Sequence, residues 1–407
     1  MATCASAVRR GYPAVVRALA LLLVVMVPVI GCEPTATSSP HAGSDDPPPP
    51  AQAPLPAARP PASALHVDPR GCAVGVLPVS PSVQRGVCFA HNYQSGGARG
   101  CGLEISRASL GELSALGVTW VSLTPFGFMD GPAATEVRHV GAMRAGETDA
   151  RMRAEIAAAR DAGLSVLLKP HLWIRGGVFL GDIDPGSEAG WRAWFHSYQE
   201  WIVRYARLAQ ELGVPLLAVG VEFGSSSGSR EADWRAVIAA VRAVYEGELV
   251  YAANWDEVGS VPFWDALDYV GVQFYPPLAT RLDESPEAVT RRVATHLDAL
   301  GALSTRVDRP VLLTEVGYKS VRGTALRPHE WPEHMQHTPE PSEAEQALCY
   351  RLLLNAVAER PFIRGVYWWK WFSDPDAQEE GPNGFSPRGK LAEAVLRAAY
   401  SPRCASP

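Results

Sequence analysis

From about residue 85 to residue 400, two patterns of apolar positions alternate along the chain. Short runs rich in β-branched and aromatic residues occupy 86–91, 119–124, 165–169, 216–221, 249–253, 269–274, 310–314 and 364–369. Most are apolar on both faces, the pattern of strands covered on both sides. Longer segments with apolar residues every three to four positions predict helices at 109–116, 149–162, 191–212, 231–245, 286–303, 343–360 and 390–400. Several predicted helices stop at a glycine just before the next strand: Gly117, Gly163 and Gly213, the last followed by Val214-Pro215. Glycine accepts the left-handed backbone that ends a helix, and proline forbids its continuation. Eight strands alternating with helices predict a parallel sheet under a helical coat, hence the α/β class and a single (β/α)8 TIM barrel. An open doubly wound sheet is disfavoured, because no glycine-rich phosphate-binding turn follows the first strand.

A barrel of this kind places its chemistry where the strands end. The predicted ends are polar and aromatic: His91-Asn92-Tyr93, Lys169-Pro170-His171-Leu172-Trp173, Glu222, Asn254-Trp255-Asp256, Gln273-Phe274-Tyr275, Glu315 and Trp368-Trp369-Lys370-Trp371. Glu222 and Glu315 each close an otherwise apolar strand, a costly position for a carboxylate without a partner or a task. Strict alternation puts Glu222 on one face with Leu216, Ala218 and Gly220, and Glu315 on one face with Val311 and Leu313. Two carboxylates converging on one cavity suit cleavage of a glycosidic bond, in which one acid protonates the leaving oxygen and the other attacks the anomeric carbon or activates water. The sequence does not set their separation, so retention and inversion both stay open at this point.

Tyr275, ending strand six, is placed to donate its hydroxyl to Glu315. Asn92, His171 and Asn254 are candidates for sugar hydroxyls, and Trp173, Trp255, Trp369 and Trp371 for stacking against pyranose faces. Trp191, Trp194 and Trp201 recur at helical spacing and read as core. Asp182 and Asp184, and Glu379 and Glu380, read as solvated loops. No metal and no cofactor are expected. Composition agrees with a neutral or weakly charged substrate: 37 basic and 43 acidic residues give a net charge of −6, with no basic block for nucleic acid.

The first 31 residues stand apart. Arg9, Arg10 and Arg17 precede an apolar run from Ala18 to Ile30, followed by Gly31 and Cys32, the order of a secretory signal. Val29-Ile30-Gly31-Cys32 resembles the bacterial lipobox, which implies lipidation of Cys32. The expected product is exported and anchored by lipid to the bacterial cell envelope, on the periplasmic face or the cell surface. Loss of the three arginines would take the net charge from −6 to −9. Residues 32–66, with ten prolines from Pro34 to Pro61, predict a stiff, extended tether. Residues 67–407 are the expected catalytic domain, without a second linker or an internal repeat, and a monomer is expected. Cys72, Cys88, Cys101, Cys349 and Cys404 would lie in an oxidising compartment, where Cys88–Cys101 and Cys72–Cys404 are the pairings considered. Their spacing lacks a zinc-ligand pattern.

The chain resembles glycoside hydrolase family 113, a group of β-mannanases on a TIM barrel. The motifs are Lys-Pro-His-Leu-Trp-Ile (169–174), Trp-Ile-Val-Arg-Tyr-Ala (201–206), Val-Gly-Val-Glu (219–222), Tyr-Ala-Ala-Asn-Trp-Asp (251–256), Phe-Trp-Asp-Ala-Leu-Asp-Tyr-Val-Gly-Val (263–272), Leu-Thr-Glu-Val-Gly-Tyr (313–318), Tyr-Trp-Trp-Lys-Trp (367–371) and Phe-Ser-Pro-Arg-Gly-Lys (385–390). The resemblance implies hydrolysis of a β-linked polysaccharide, β-1,4-mannan or a manno-oligosaccharide, with retention: Glu222 as acid/base, Glu315 as nucleophile and Tyr275 as its support. Much of the wider clan carries an asparagine just before the strand-four acid, where this chain has Val221, which leaves Asn254 or His171 to meet the sugar 2-hydroxyl. Hydrolysis of another β-glycan, or a non-catalytic glycan-binding lipoprotein, are the competing readings.

Overall fold

The computed structural model describes residues 65–91, 100–139, 148–330, 340–377, 380–401 and 404. The expected signal peptide, Cys32, nearly all of the tether, Asn92 and Glu379 lie outside the described residues.

Eight parallel strands close a barrel: β1 (Gln84–Ala90), β2 (Trp120–Leu123), β3 (Ser165–Leu168), β4 (Leu216–Val221), β5 (Glu248–Asn254), β6 (Tyr269–Gln273), β7 (Val311–Val316) and β8 (Ile363–Phe372), with β8 pairing back to β1. The main helices are α1 (Glu104–Leu116), α2 (Asp149–Asp161), α3 (Glu188–Leu212), α4 (Glu231–Arg242), α5 (Pro286–Val307), α6 (Glu343–Ala358) and α7 (Leu391–Tyr400). The connection from β5 to β6 carries two single-turn 3-10 segments, Val258–Ser260 and Trp264–Ala266. Gly117 and Gly213 cap α1 and α3 in the left-handed conformation, and Gly163 takes the same region after α2.

Cys88, Leu167, Leu216, Ala218, Val250, Leu312 and Tyr367 fill the barrel interior. Gly86 makes room for that filling, since a Cβ on it would sit 2.4 Å from the Tyr367 ring. Outside the sheet, α3 buries Trp194, Tyr198, Trp201, Ile202 and Tyr205 along one stripe. Side chains of this kind contribute roughly 1.5–3 kcal/mol each on burial. Trp191 is partly buried against the same core, so the three helix tryptophans serve packing.

Strict alternation fails near the mouth, for one physical reason in three strands: a bulge adds a residue and turns the following side chains over. In β4 the pairing with β5 shifts between Ala218 and Gly220. A Cβ on Gly220 would meet Trp234 and Tyr251 in the outer layer, whereas Leu216 and Ala218 face inward. In β7, Val311 and Leu313 pack outward, and the register shifts before Glu315. The expected shared faces of Gly220 with Ala218, and of Glu315 with Leu313, are therefore corrected. In β8 the register against β1 shifts between Trp368 and Trp371.

Above β2 and β3 stands a small sheet unforeseen in the sequence, in which Phe126–Met129 pairs with His171–Ile174 in parallel and with Arg138–His139 antiparallel. Pro125 and Pro170 interrupt the barrel ladder, and the chain resumes pairing beyond them. His171 and Trp173 are thereby carried on a strand rather than a loop. The stretch 65–83 runs along the last helices: Ala73 and Val79 donate backbone hydrogen bonds to Ala394 and Ala399 of α7, and Leu77 donates to the Asn355 side chain of α6. A disulfide joins Cys72 to Cys404, while Cys88, Cys101 and Cys349 are buried cysteines outside it.

Candidate active site

Glu315, at the end of β7, is held by three donors. Tyr275 Oη lies 2.7 Å from Oε1, and Lys169 Nζ and Gln273 Nε2 lie 2.7 and 3.0 Å from Oε2. Thr314 Oγ1 donates to Gln273 Oε1 at 3.1 Å, which fixes the amide so that its NH2 faces the carboxylate. Lys169 is fully buried and Glu315 only 12% exposed, so their charges meet with little screening by water. Burial alone would raise the Glu315 pKa, but the Lys169 ammonium and the hydrogen bonds from Lys169, Tyr275 and Gln273 outweigh it and hold the carboxyl below its ordinary 4.5.

Glu222 follows β4 with φ of 55°, a left-handed conformation that a side chain larger than glycine adopts at a cost. Its neighbours hold it there. Glu222 donates its backbone N–H to Ala252, and the next N–H, of Phe223, goes to Tyr251 Oη at 2.9 Å. The Phe223 ring is packed between Trp194, Tyr198 and Trp234, at centroid distances of 5.5, 5.2 and 5.4 Å. Tyr251 in turn donates to Glu257, whose carboxylate also accepts from Asn254 N and Ser227 Oγ. Burial, then the negative charge of Glu315, push the Glu222 pKa up to about 8, with Glu257 and Asp256 adding to the rise and Lys169 opposing it. Two carboxyls sharing one ammonium are thus displaced in opposite directions.

His171 donates Nδ1–H to the Leu172 carbonyl at 2.9 Å, so Nε2 is left as an acceptor. Burial and then the Lys169 charge lower its pKa to about 4, and the ring is neutral at physiological pH. Trp173 is 53% exposed and offers an open indole face. Asn254 Oδ1 accepts from Trp255 N and shapes the turn after β5. Trp255 is partly buried, edge-on to His296 at 6.4 Å. Trp369 is partly buried against the barrel interior, with Lys370 Nζ 5.0 Å from its ring centroid.

Trp371 departs from the expectation. The β8 bulge turns it into the outer core, where it is 2% exposed and covered by the Arg388 guanidinium at 4.6 Å. It presents no face to a sugar. Glu380 is likewise no solvated loop residue, since it forms a buried ion pair with Lys370 at 2.8 Å. Lys169, Gln273 and Glu257 are site residues to which sequence reasoning assigned no role. The first two carry the same signal as the glutamates, a polar residue ending an apolar strand.

The family model of Glycoside Hydrolase Family 113 matches residues 93–390. This chain belongs to glycoside hydrolase family 113. Among solved structures, the hydrolase is similar to a GH113 β-1,4-mannanase described as a complex structure: 26% identity, TM-score 0.67, covering 79% of this chain and 99% of that one. It is also similar to the GH113 β-mannanase AaManA from Alicyclobacillus acidocaldarius in complex with ManMIm, at 27% identity and TM-score 0.68, covering 78% and 97% of the two chains. A β-glucuronidase from Faecalibacterium prausnitzii, 14% identical with a TM-score of 0.50, shares the fold. No curated protein matches. As a family 113 member, the hydrolase acts on an oligosaccharide or polysaccharide.

Proposed function

We propose that this hydrolase cleaves β-1,4-mannan or manno-oligosaccharides with retention of configuration, Glu222 serving as acid/base and Glu315 as nucleophile. The observation that carries this reading is the opposite displacement of the two carboxyls: one kept protonated near neutral pH, the other kept ionised and aimed by three donors. In the first step Glu222 gives its proton to the glycosidic oxygen, the bond to the leaving sugar breaks, and Glu315 bonds to the anomeric carbon. In the second, Glu222 takes a proton from water, which attacks the anomeric carbon and frees Glu315. Trp173 supplies an exposed stacking face. His171 Nε2 accepts from a sugar hydroxyl, and Asn254 contacts the 2-hydroxyl, a role closed to the fully buried Val221. Substrate choice rests on the two mannanase neighbours.

The test is product analysis on β-mannan, glucomannan, xylan, mixed-linkage β-glucan and chitin, with the anomer released first read by NMR. β-Anomer products from mannan support the reading. α-Anomer products would overturn retention, and cleavage confined to another polymer would overturn the substrate.

The pH profile of kcat/KM follows from the same pair. Activity requires ionised Glu315 and protonated Glu222, so it is expected to fall on the acid side below the ordinary carboxylate value of 4.5 and on the basic side near 8. In Glu222→Gln the basic limb should vanish from the residual rate on an activated aryl glycoside. A limb that persists near 8 would assign it to another group.

The tether and lipobox support an envelope lipoprotein acylated at Cys32, acting as a monomer on glycan near the lipid surface. Cys32→Ser is expected to move the protein from the membrane to the soluble fraction; unchanged fractionation would exclude the anchor.

A further inference from the structure

A second cluster of reactive side chains has no part in the glycosidase chemistry. His91 follows β1, Cys101 precedes α1, and Glu155 lies in α2. One ligand atom from each, an imidazole nitrogen, a thiol sulfur and a carboxylate oxygen, lies within 4.8 Å of the others. All three are buried, His91 6% exposed and the other two 0%. His91 Nδ1 is bonded to Ser373 Oγ at 3.0 Å, while Nε2 is shut off from water with no hydrogen-bond partner among the described residues. Such an orphaned buried nitrogen calls for an explanation. Glu155 accepts hydrogen bonds from Gly102 N, Ser106 Oγ and the Cys101 thiol.

We propose that His91, Cys101 and Glu155 bind one divalent ion of the zinc class. Nitrogen and sulfur donors exclude calcium and magnesium, which take oxygen ligands, and suit a borderline-soft ion. Ligand atoms around tetrahedral zinc stand roughly 3.3–3.8 Å apart, so the cluster closes on an ion by about 1 Å of side-chain movement. On binding, the Cys101 proton leaves to solvent, and thiolate and carboxylate together neutralise the dication, so the buried site carries no net charge. The outer contacts are in place: Ser373 orients His91, while Gly102 N and Ser106 Oγ orient Glu155. The ion ties the end of β1 to the entry of α1 and to the middle of α2. The sequence hid this set because Cys101 and Glu155 are 54 positions apart and meet only when α2 packs on α1.

The purified full chain, stripped with chelator and dialysed against Zn2+ or Co2+, tests the assignment by elemental analysis and absorption. Wild type should hold about one more ion per chain than Cys101→Ser or His91→Gln. The Co2+ form should show a thiolate charge-transfer band that is lost in Cys101→Ser and kept in Cys349→Ser, a control at another buried thiol. Zinc should raise the thermal midpoint of wild type and leave that of His91→Gln unchanged. Circular dichroism verifies that the variants fold, and if Cys101→Ser does not, His91→Gln carries the comparison. Equal metal content in wild type and folded His91→Gln, or no thiolate band in Co2+-loaded wild type, overturns the proposal.

Discussion

Glu315→Gln is expected to lower kcat on mannan by at least about 10^4-fold while the protein stays folded. The amide keeps the volume of the side chain but only one acceptor oxygen, enough for the Tyr275 donor on one side or the Lys169 and Gln273 donors on the other, so what is lost is the negative charge, the nucleophilic oxygen and part of the hydrogen bonding rather than the packing. The corresponding rise in barrier, about 5.5 kcal/mol, is of the size that removal of an attacking group produces. Glu315→Ala is the complementary variant. It opens space beside Lys169, and a small anion such as azide entering that space should attack an activated aryl β-mannoside from the face Glu315 occupied, giving the α-glycosyl azide. Measuring kcat of the glutamine variant and the anomer of the azide adduct checks both halves. A glutamine variant within tenfold of wild type, or a β-azide product, would remove Glu315 from the nucleophile's role.

Lys169→Met is expected to damage both stability and chemistry. Lys169 is fully buried, and its loss leaves the Glu315 charge without a cation in a site that water barely reaches. Removing one member of such a pair costs about 3 kcal/mol, which lowers the thermal midpoint by on the order of 5 °C in a domain of this size. The pH dependence has a definite sign. The depressed Glu315 contributes stability above its unfolded value, lost as pH falls through its folded value, so the deficit of Lys169→Met should be full at neutral pH and shrink in acid. In the rate profile the acid limb should move upward, because Glu315 without the ammonium binds its proton more readily. Urea titrations at several pH values, with kcat/KM profiles of both proteins, measure these effects. An acid limb that stays in place would show that Lys169 does not set the ionisation of Glu315.

The barrel was legible in the sequence because its signal is repetitive. Each of the eight predicted strands lies where the structure has one. The contacts around the two glutamates were only partly legible. Tyr275 was readable from its place at the end of β6, and it does donate to Glu315. Lys169 and Gln273 stood in the same positions without an assigned role, because a lone cation or amide at a strand end does not announce its partner. The misreading of Trp371 and of the shared faces has another cause. A bulge inserts one residue without changing composition, so alternation counted along β4, β7 or β8 goes out of phase just where the site begins. The set of His91, Cys101 and Glu155 was invisible for want of any local spacing, since helix packing alone brings Glu155 to the other two.

The bond between Cys72 and Cys404 joins residues 332 positions apart, so nearly the whole barrel lies within one covalent ring. A protease that cuts a single exposed connection inside that ring produces a nicked molecule rather than two fragments. The two pieces, each carrying one of the cysteines, part only when a reductant is present. The hydrolase thus survives a first cut as one body, and it runs as one band on a gel until its disulfide is reduced.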